Sequence, residues 1–318
     1  MRALAERWRD QFDFAECARA WNRHRHFRAE VNGLPLHFIH APRPKAPAVL
    51  LLHGWPGSFV EFLPLIDLLA PELSVIVPSV PGFGYSATAP ELTPPEMADT
   101  LLSLMEQLGY PRFFVHGGDV GAGIGTWLAR RHPERVLGLH LNYIPGSYAP
   151  DPGEGLSAEE EQFVRDAQDW WDRDGAYGHL QRTRPLTLGY ALHDSPVALL
   201  SWIAEKFDDW ADPATPIADD VLLANVSLYW FTQSAYSSVR YYLDNARTPH
   251  RFAPGERVHP PCGIARFPRE EPFPPRRYIE RAYEVHRFTE MPRGGHFAAL
   301  EQPQLLANDL LAFIRDRA

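Results

Sequence analysis

Short apolar runs alternate with helical patterns along residues 48–141, give way to helical patterns alone for about 110 residues, and return after residue 253. Ala48–Leu52 (AVLLL) is continuously apolar, as a strand buried on both faces requires. Ser74–Val77, 112–116 (RFFVH) and 136–141 (VLGLHL) read as further strands, separated by helical patterns at 59–69, 94–108 and 120–131. Pro64 must bend the first of these helices or mark its late start. Upstream, 28–40 reads as two extended runs around Asn32-Gly33, a hairpin signal. After the break, 263–267 and 284–289 read as strands, with helices at 276–282 and 303–315. The alternation predicts an α/β fold: a mostly parallel sheet with helices on both faces.

The intervening patterns are at 157–174, 196–208, 219–230 and 234–246, and Trp and Tyr are dense among them. The expected organisation is one α/β core, 1–142 and 254–318, with a short N-terminal arm over about 1–27 and an inserted helical cap over 143–253. Open parallel sheets bind ligands beyond the carboxyl ends of their strands, so the insertion is placed as a lid over a cleft.

Composition limits the partners. A chain of 318 residues that is 45% hydrophobic and 12% aromatic builds a substantial core and is not disordered. Its formal net charge of -9 repels phosphate backbones, which argues against nucleic acid. Cys17 and Cys262 make neither a disulfide framework nor a metal-ligand spacing. The start, MRALAERWRDQFDF, has no apolar signal-peptide centre, and no run approaches the roughly 18 apolar residues of a membrane span. The expectation is a cytoplasmic protein without a membrane anchor.

Three segments carry candidate chemistry. In RFFVHGGDVGAGIGTW (112–127) a strand runs into glycines, Asp119 and a helix, the layout of a nucleophile elbow with Gly117, Asp119 and Gly121 in the motif positions. Asp119 also reads as a plain helix N-cap. No Ser occupies the centre of a Gly-x-Ser-x-Gly, which disfavours a serine esterase. His53-Gly54-Trp55-Pro56-Gly57 ends the first buried strand, where a backbone N–H would make an oxyanion hole with that of Val120; the loop also reads as a simple strand-to-helix turn with a packed Trp. His53 and His116 read as structural. Finally, MPRGGHFAAL (291–300) sets His296 in a glycine loop between the last strand and the last helix, where an α/β hydrolase carries its base.

LLHGWPGSFVEFLPLI, VPGFGYS, HGGDVG, YWFTQSAYSSVRYY, RFPRE and MPRGGHFAALEQPQLL, in that order from about Trp8 to Arg315, resemble the microsomal-type epoxide hydrolases of the α/β-hydrolase fold and their soluble bacterial and fungal relatives. The resemblance implies Asp119 as nucleophile and His296 as base. It implies Glu270, in Phe267-Pro268-Arg269-Glu270, as the acid that orients the base, with Glu271 as the adjacent rival. Asn142-Tyr143-Ile144-Pro145, after the sixth strand, offers no carboxylate, which favours Glu270. The resemblance also implies two lid tyrosines that grip the epoxide oxygen, at Tyr242 and Tyr177. Tyr241 and Tyr242 lie about 100° apart on a helix, so only one faces the cleft. The implied oxyanion donors are the N–H groups of Trp55 and Val120.

The implied reaction converts an apolar epoxide and water to a diol through an ester on Asp119, with neither cofactor nor metal, in a monomer or homodimer. Two departures stand out. Val120 occupies a position where many members have Trp, and the chain begins partway through the family's N-terminal arm, leaving open what the arm does for dimerisation or lid clamping. The alternatives are a haloalkane- or haloacid-type dehalogenase using the same Asp, and a non-catalytic small-ligand binder.

Overall fold

Among the described residues, eight strands form one sheet: β1 (His26–Val31), β2 (Leu34–Ala41), β3 (Ala48–Leu52), β4 (Ser74–Pro78), β5 (Phe113–Gly117), β6 (Val136–Leu141), β7 (Val258–Arg266) and β8 (Tyr283–Glu290). Their spatial order is β1-β2-β4-β3-β5-β6-β7-β8. The pairings β1–β2 and β2–β4 are antiparallel and all others parallel. The computed structural model describes residues 1–88, 92–153 and 155–317.

Local chemistry accounts for most boundaries. Asn32 and Gly33 both take positive φ (52° and 77°), the tight turn whose twist suits a two-residue hairpin. Every residue of β3, β4 and β5 is buried, so these strands are largely apolar and show no alternation. Pro64 marks a late start: Phe59–Phe62 is a 3₁₀ turn and the α-helix Leu63–Leu69 follows, with proline in its first turn.

The structure departs from the sequence expectations in three places. β7 begins at Val258 rather than 263 and takes in Pro260 and Pro261, and its register against β8 shifts between Val258 and Pro261. A proline lacks the N–H a regular ladder needs, and such an irregularity is where one is tolerated. Two further helices, Ala176–Thr183 and Pro185–Asp194, fill the lid between the expected ones. Pro185 reads as a breaker but sits in a first turn, where no N–H is required. The arm folds into helices Arg2–Asp10 and Phe14–Trp21, the second capped by the Asp13 carboxylate, which accepts from Ala15 N–H at 2.8 Å.

Among the described residues, six helices lie between β6 and β7: Ala158–Asp174, Ala176–Thr183, Pro185–Asp194, Pro196–Trp210, Asp219–Thr232 and Ala235–Arg247. The two ends of this segment are pinned together, with Ala149 N–H donating to His250 O (2.9 Å) and Phe252 N–H to Ala149 O (3.0 Å). Leu199, Leu200, Ile203, Leu223 and Val226 from these helices join the same apolar cluster as Leu50, Leu52 and Val115 of the sheet. Each such leucine contributes about 2 kcal/mol through burial, so the helices are bound to the sheet by a shared core.

The arm grips the same layer. Trp8 Nε1 donates to Ser227 Oγ at 2.7 Å, Arg7 pairs with Asp220 at 2.8 Å, and Phe14 lies 5.0 Å from Phe231 between ring centroids. All three partners belong to Asp219–Thr232, so the arm clamps a lid helix. Among the described residues, no helix is long and apolar enough to cross a membrane.

Candidate active site

β5 stops at Gly117, and after Gly118 the helix Asp119–Arg131 begins at once. Gly118 occupies the N-cap and Asp119 does not cap the helix with its side chain. Asp119 instead takes φ 46°, a left-handed conformation that costs an L residue about 1 kcal/mol and is least unfavourable for Asp and Asn. The turn is possible because the helix presses against β3: a β-carbon on Gly121 would collide with the Leu52 carbonyl. The side chain of Asp119 is thereby projected at the carboxyl edge of the sheet.

Its two oxygens have different surroundings. Oδ1 accepts a hydrogen bond from Trp55 N–H at 2.7 Å, and Val120 N–H also donates to the carboxylate. The Trp55 loop is fixed from above: Asn225 Nδ2 donates to Pro56 O and Tyr229 Oη to Gly57 O, both at 2.7 Å. Oδ2 faces His296 Nε2 at 3.8 Å. Burial pushes the Asp119 carboxyl above its ordinary value, while His296 and the Trp55 and Val120 N–H groups oppose that shift.

His296 Nδ1 lies 2.8 Å from Glu270 Oε2. Glu270 is buried, whereas Glu271 is more than half exposed and pairs with Arg266 at 3.3 Å. The two neighbours project differently, and only Glu270 meets the imidazole. Burial disfavours a charged His296. The charge and hydrogen bond of Glu270, with Asp119 and Glu61 adding, outweigh it and raise the ring to about 9. The loop that carries it is held by two acids. Glu301 accepts from the N–H groups of Gly295 (2.9 Å), Phe297 (2.9 Å) and Asp212 (2.7 Å), and Asp212 accepts from Gly294 N–H at 2.9 Å. His296 N–H donates to Trp210 O at 3.1 Å, which ties the loop to the end of Pro196–Trp210.

Tyr177, on Ala176–Thr183, and Tyr242, on Ala235–Arg247, come together with ring centroids 5.9 Å apart. The Trp55 ring lies 5.5 Å from the first and 5.8 Å from the second. Tyr241 turns away, with its hydroxyl beside Gly123 of the Asp119 helix. Burial pushes both Tyr177 and Tyr242 above the usual phenol range and the charge of Asp119 adds to it. Both therefore stay protonated at neutral pH. Asp119, His296, Glu270, Tyr177, Tyr242 and the N–H groups of Trp55 and Val120 thus form one constellation, from segments far apart in the chain.

Sequence reading missed several neighbours. Tyr143 lies 5.9 Å from the His296 ring, and its place just beyond β6, at the carboxyl edge, was the available signal. Trp210 lies 5.0 Å from His296 and 5.2 Å from Tyr177, while Lys206 Nζ sits 4.6 Å over the Tyr177 ring. Their placement depends on how the lid helix packs, which no local pattern encodes.

Chemically, one carboxylate oxygen is held by N–H donors and the other is open toward an imidazole backed by a second carboxylate. Phenolic donors stand nearby. Such a site is equipped to displace a leaving oxygen at carbon and then to hydrolyse the ester formed.

Residues 47–188 match the model of the alpha/beta hydrolase fold, and residues 1–62 match the epoxide hydrolase N terminus. The chain is 40% identical to a Stigmatella aurantiaca protein over 98% of its own length and 74% of that relative. It is 34% identical to Epoxide hydrolase 1 of Oryctolagus cuniculus, covering 99% of this chain and 79% of that one. Among solved structures it is similar to the epoxide hydrolase of Aspergillus niger, with 32% identity, a TM-score of 0.88, and coverage of 100% of this chain and 85% of the other.

Proposed function

Because the chain belongs to the epoxide hydrolase family of the α/β-hydrolase fold, we propose that it converts an apolar epoxide and water to a vicinal diol through a covalent ester on Asp119. The observation that carries this reading is the split environment of Asp119, with Oδ1 held by Trp55 N–H and Oδ2 open toward His296 and Glu270.

Oδ2 attacks an epoxide carbon and the C–O bond breaks. The departing alkoxide takes a proton from Tyr177 or Tyr242, either of which is a donor at neutral pH. Ester formation removes the charge of Asp119, one of the influences that keep His296 protonated, so the ring loses its proton more readily and the phenol is restored. Neutral His296 Nε2 then accepts a proton from water as the water oxygen attacks the ester carbonyl. The oxyanion develops on Oδ1, to which Trp55 N–H already donates, with Val120 N–H, also a donor to this carboxylate, beside it, each such donor contributing roughly 3 kcal/mol to this step. Collapse expels the second alkoxide, which takes the proton from His296. The proton left on the Asp119 carboxyl passes to the imidazole, and the resting pair is regained.

The segment 143–253 serves as the cap in this reading, since it supplies both tyrosines and closes over Trp55. Apolar and aryl epoxides fit the aromatic surroundings of Trp55, Trp210, Tyr177 and Tyr242. The working form is a monomer or homodimer in the cytoplasm.

The tyrosines separate epoxide opening from halide displacement, because a halide leaves without a proton. Tyr177→Phe and Tyr242→Phe are each expected to slow ester formation from styrene oxide by roughly 10²-fold, in line with loss of one donor to a developing alkoxide. The two losses should not add, since the phenols share one leaving oxygen. Rapid-mixing measurement of the alkylation step checks this. Unchanged alkylation in both variants, or halide release from a haloalkane at a rate matching diol formation, would defeat the proposal.

A further inference from the structure

Glu61 belongs to none of the steps above, yet its carboxyl is placed beside them. A pocket of about 20 Å³ is lined by Asp119 and His296 together with Glu61, His116 and Asn142, and among the described residues none of the lid segment lines it. A volume of that size accepts a water molecule when polar groups surround it. The HGWPG loop makes room on this side: a β-carbon on Gly57 would fall on Glu61 Oε1, so the carboxyl occupies the space a side chain at 57 would fill.

We infer that Glu61 is a water-positioning residue: it accepts the second hydrogen of the water that attacks the Asp119 ester while His296 receives the first. No bond to Glu61 forms or breaks in this step. The attacking water gives one proton to His296 Nε2, keeps the other on its oxygen in a hydrogen bond to Glu61, and enters the Asp119 carbonyl. The epoxide comes from the tyrosine side and the water from the pocket beneath the loop, so the two half-reactions use opposite faces of the same carboxyl.

A purely architectural role explains less. Glu61 accepts from Ser58 N–H, and Ser58 Oγ accepts from Val60 N–H at 3.3 Å, a reciprocal cap on the turn Phe59–Phe62. That cap needs an acceptor, not an acid at the catalytic pair. The comparable acid Glu160 at the cap of Ala158–Asp174 is matched by Arg281 at 2.6 Å. Among the described residues no Arg or Lys forms an ion pair with Glu61. Burial pushes its carboxyl up to about 8, with the charge of His296 opposing and that of Asp119 adding.

This inference rests on the ester route. Glu61→Gln keeps an acceptor for the cap and is the informative variant. With styrene oxide, its alkylation rate should stay within about threefold of the parent, while ester hydrolysis slows about tenfold or more. The ester then accumulates in the steady state, and kcat falls while kcat/KM, which reports steps through alkylation, holds. Ser58→Ala, which weakens the same cap without touching the pocket, should leave both steps within about twofold. The assignment is overturned if Glu61→Gln hydrolyses the ester at the parental rate, if both steps fall in parallel, or if Ser58→Ala reproduces the split. Absence of any ester in the parent enzyme would instead remove the route itself, whatever Glu61→Gln does.

Discussion

Replacing His296 with glutamine is expected to leave a protein that opens about one epoxide per active site and then stops. Nothing in the first half-reaction requires the imidazole as a base, because Oδ2 of Asp119 is already ionised when it attacks. The second half-reaction does require it, since water is a poor nucleophile toward an ester until a base takes its proton. Loss of a general base of this kind costs about 10²- to 10⁴-fold, so kcat should fall by roughly 10³-fold while alkylation persists. Mass spectrometry of the intact protein after incubation with styrene oxide should show one adduct, and fragmentation should place it on Asp119. A variant that turns over at the parental rate, or one that forms no adduct while consuming no substrate, would contradict the division of labour between Asp119 and His296.

Asp119→Ala is expected to have the larger effect. It removes the atom that attacks, leaving two N–H donors and an imidazole with no ester to act upon. Loss of a nucleophile that works in concert with its base lowers turnover by about 10⁴-fold or more, so diol formation should fall to the background rate of the buffer. The fold should survive. Alanine at φ 46° costs about 1 kcal/mol, but the substitution also removes a carboxylate whose burial disfavours its charged form. A circular dichroism spectrum matching the parent, alongside a blank diol assay, is the expected pair of results. Diol formation at an unchanged rate would mean that another group attacks the epoxide.

Much of this site was legible in the chain because its parts are tied to strand ends. Asp119 follows β5 after a single glycine, Trp55 follows β3, and His296 follows β8 by a short glycine loop, so the strand–helix rhythm located each of them. Glu270 lies four residues beyond β7, and its choice over Glu271 needed coordinates: adjacent acids differ only in which way the backbone aims them, and one reaches His296 while the other reaches Arg266. The antiparallel hairpin of β1 and β2 was readable from Asn32-Gly33 for the same local reason.

What escaped reading depends on contacts between distant segments. Ala176–Thr183 and Pro185–Asp194 are short, and Pro185 disguises the second as a break. Asp212 and Glu301 look like surface acids in the sequence, but the His296 loop offers them its backbone N–H groups. Glu61 sits inside an apolar helical pattern and reads as its polar face, whereas the fold turns its carboxyl against Gly57. The arm carries no motif, and its grip on Asp219–Thr232 through Trp8 and Arg7 appears only when the lid is in place.

One turnover of styrene oxide in heavy-oxygen water, with enzyme in excess over substrate, tests the covalent step most directly. The diol should emerge almost free of label, and the peptide containing Asp119 should gain one heavy oxygen, because water enters the carboxyl and the carboxyl oxygen leaves with the product. Label found in the first diol, with the Asp119 peptide unchanged, would mean that water attacks the epoxide itself and that Asp119 never bonds to substrate.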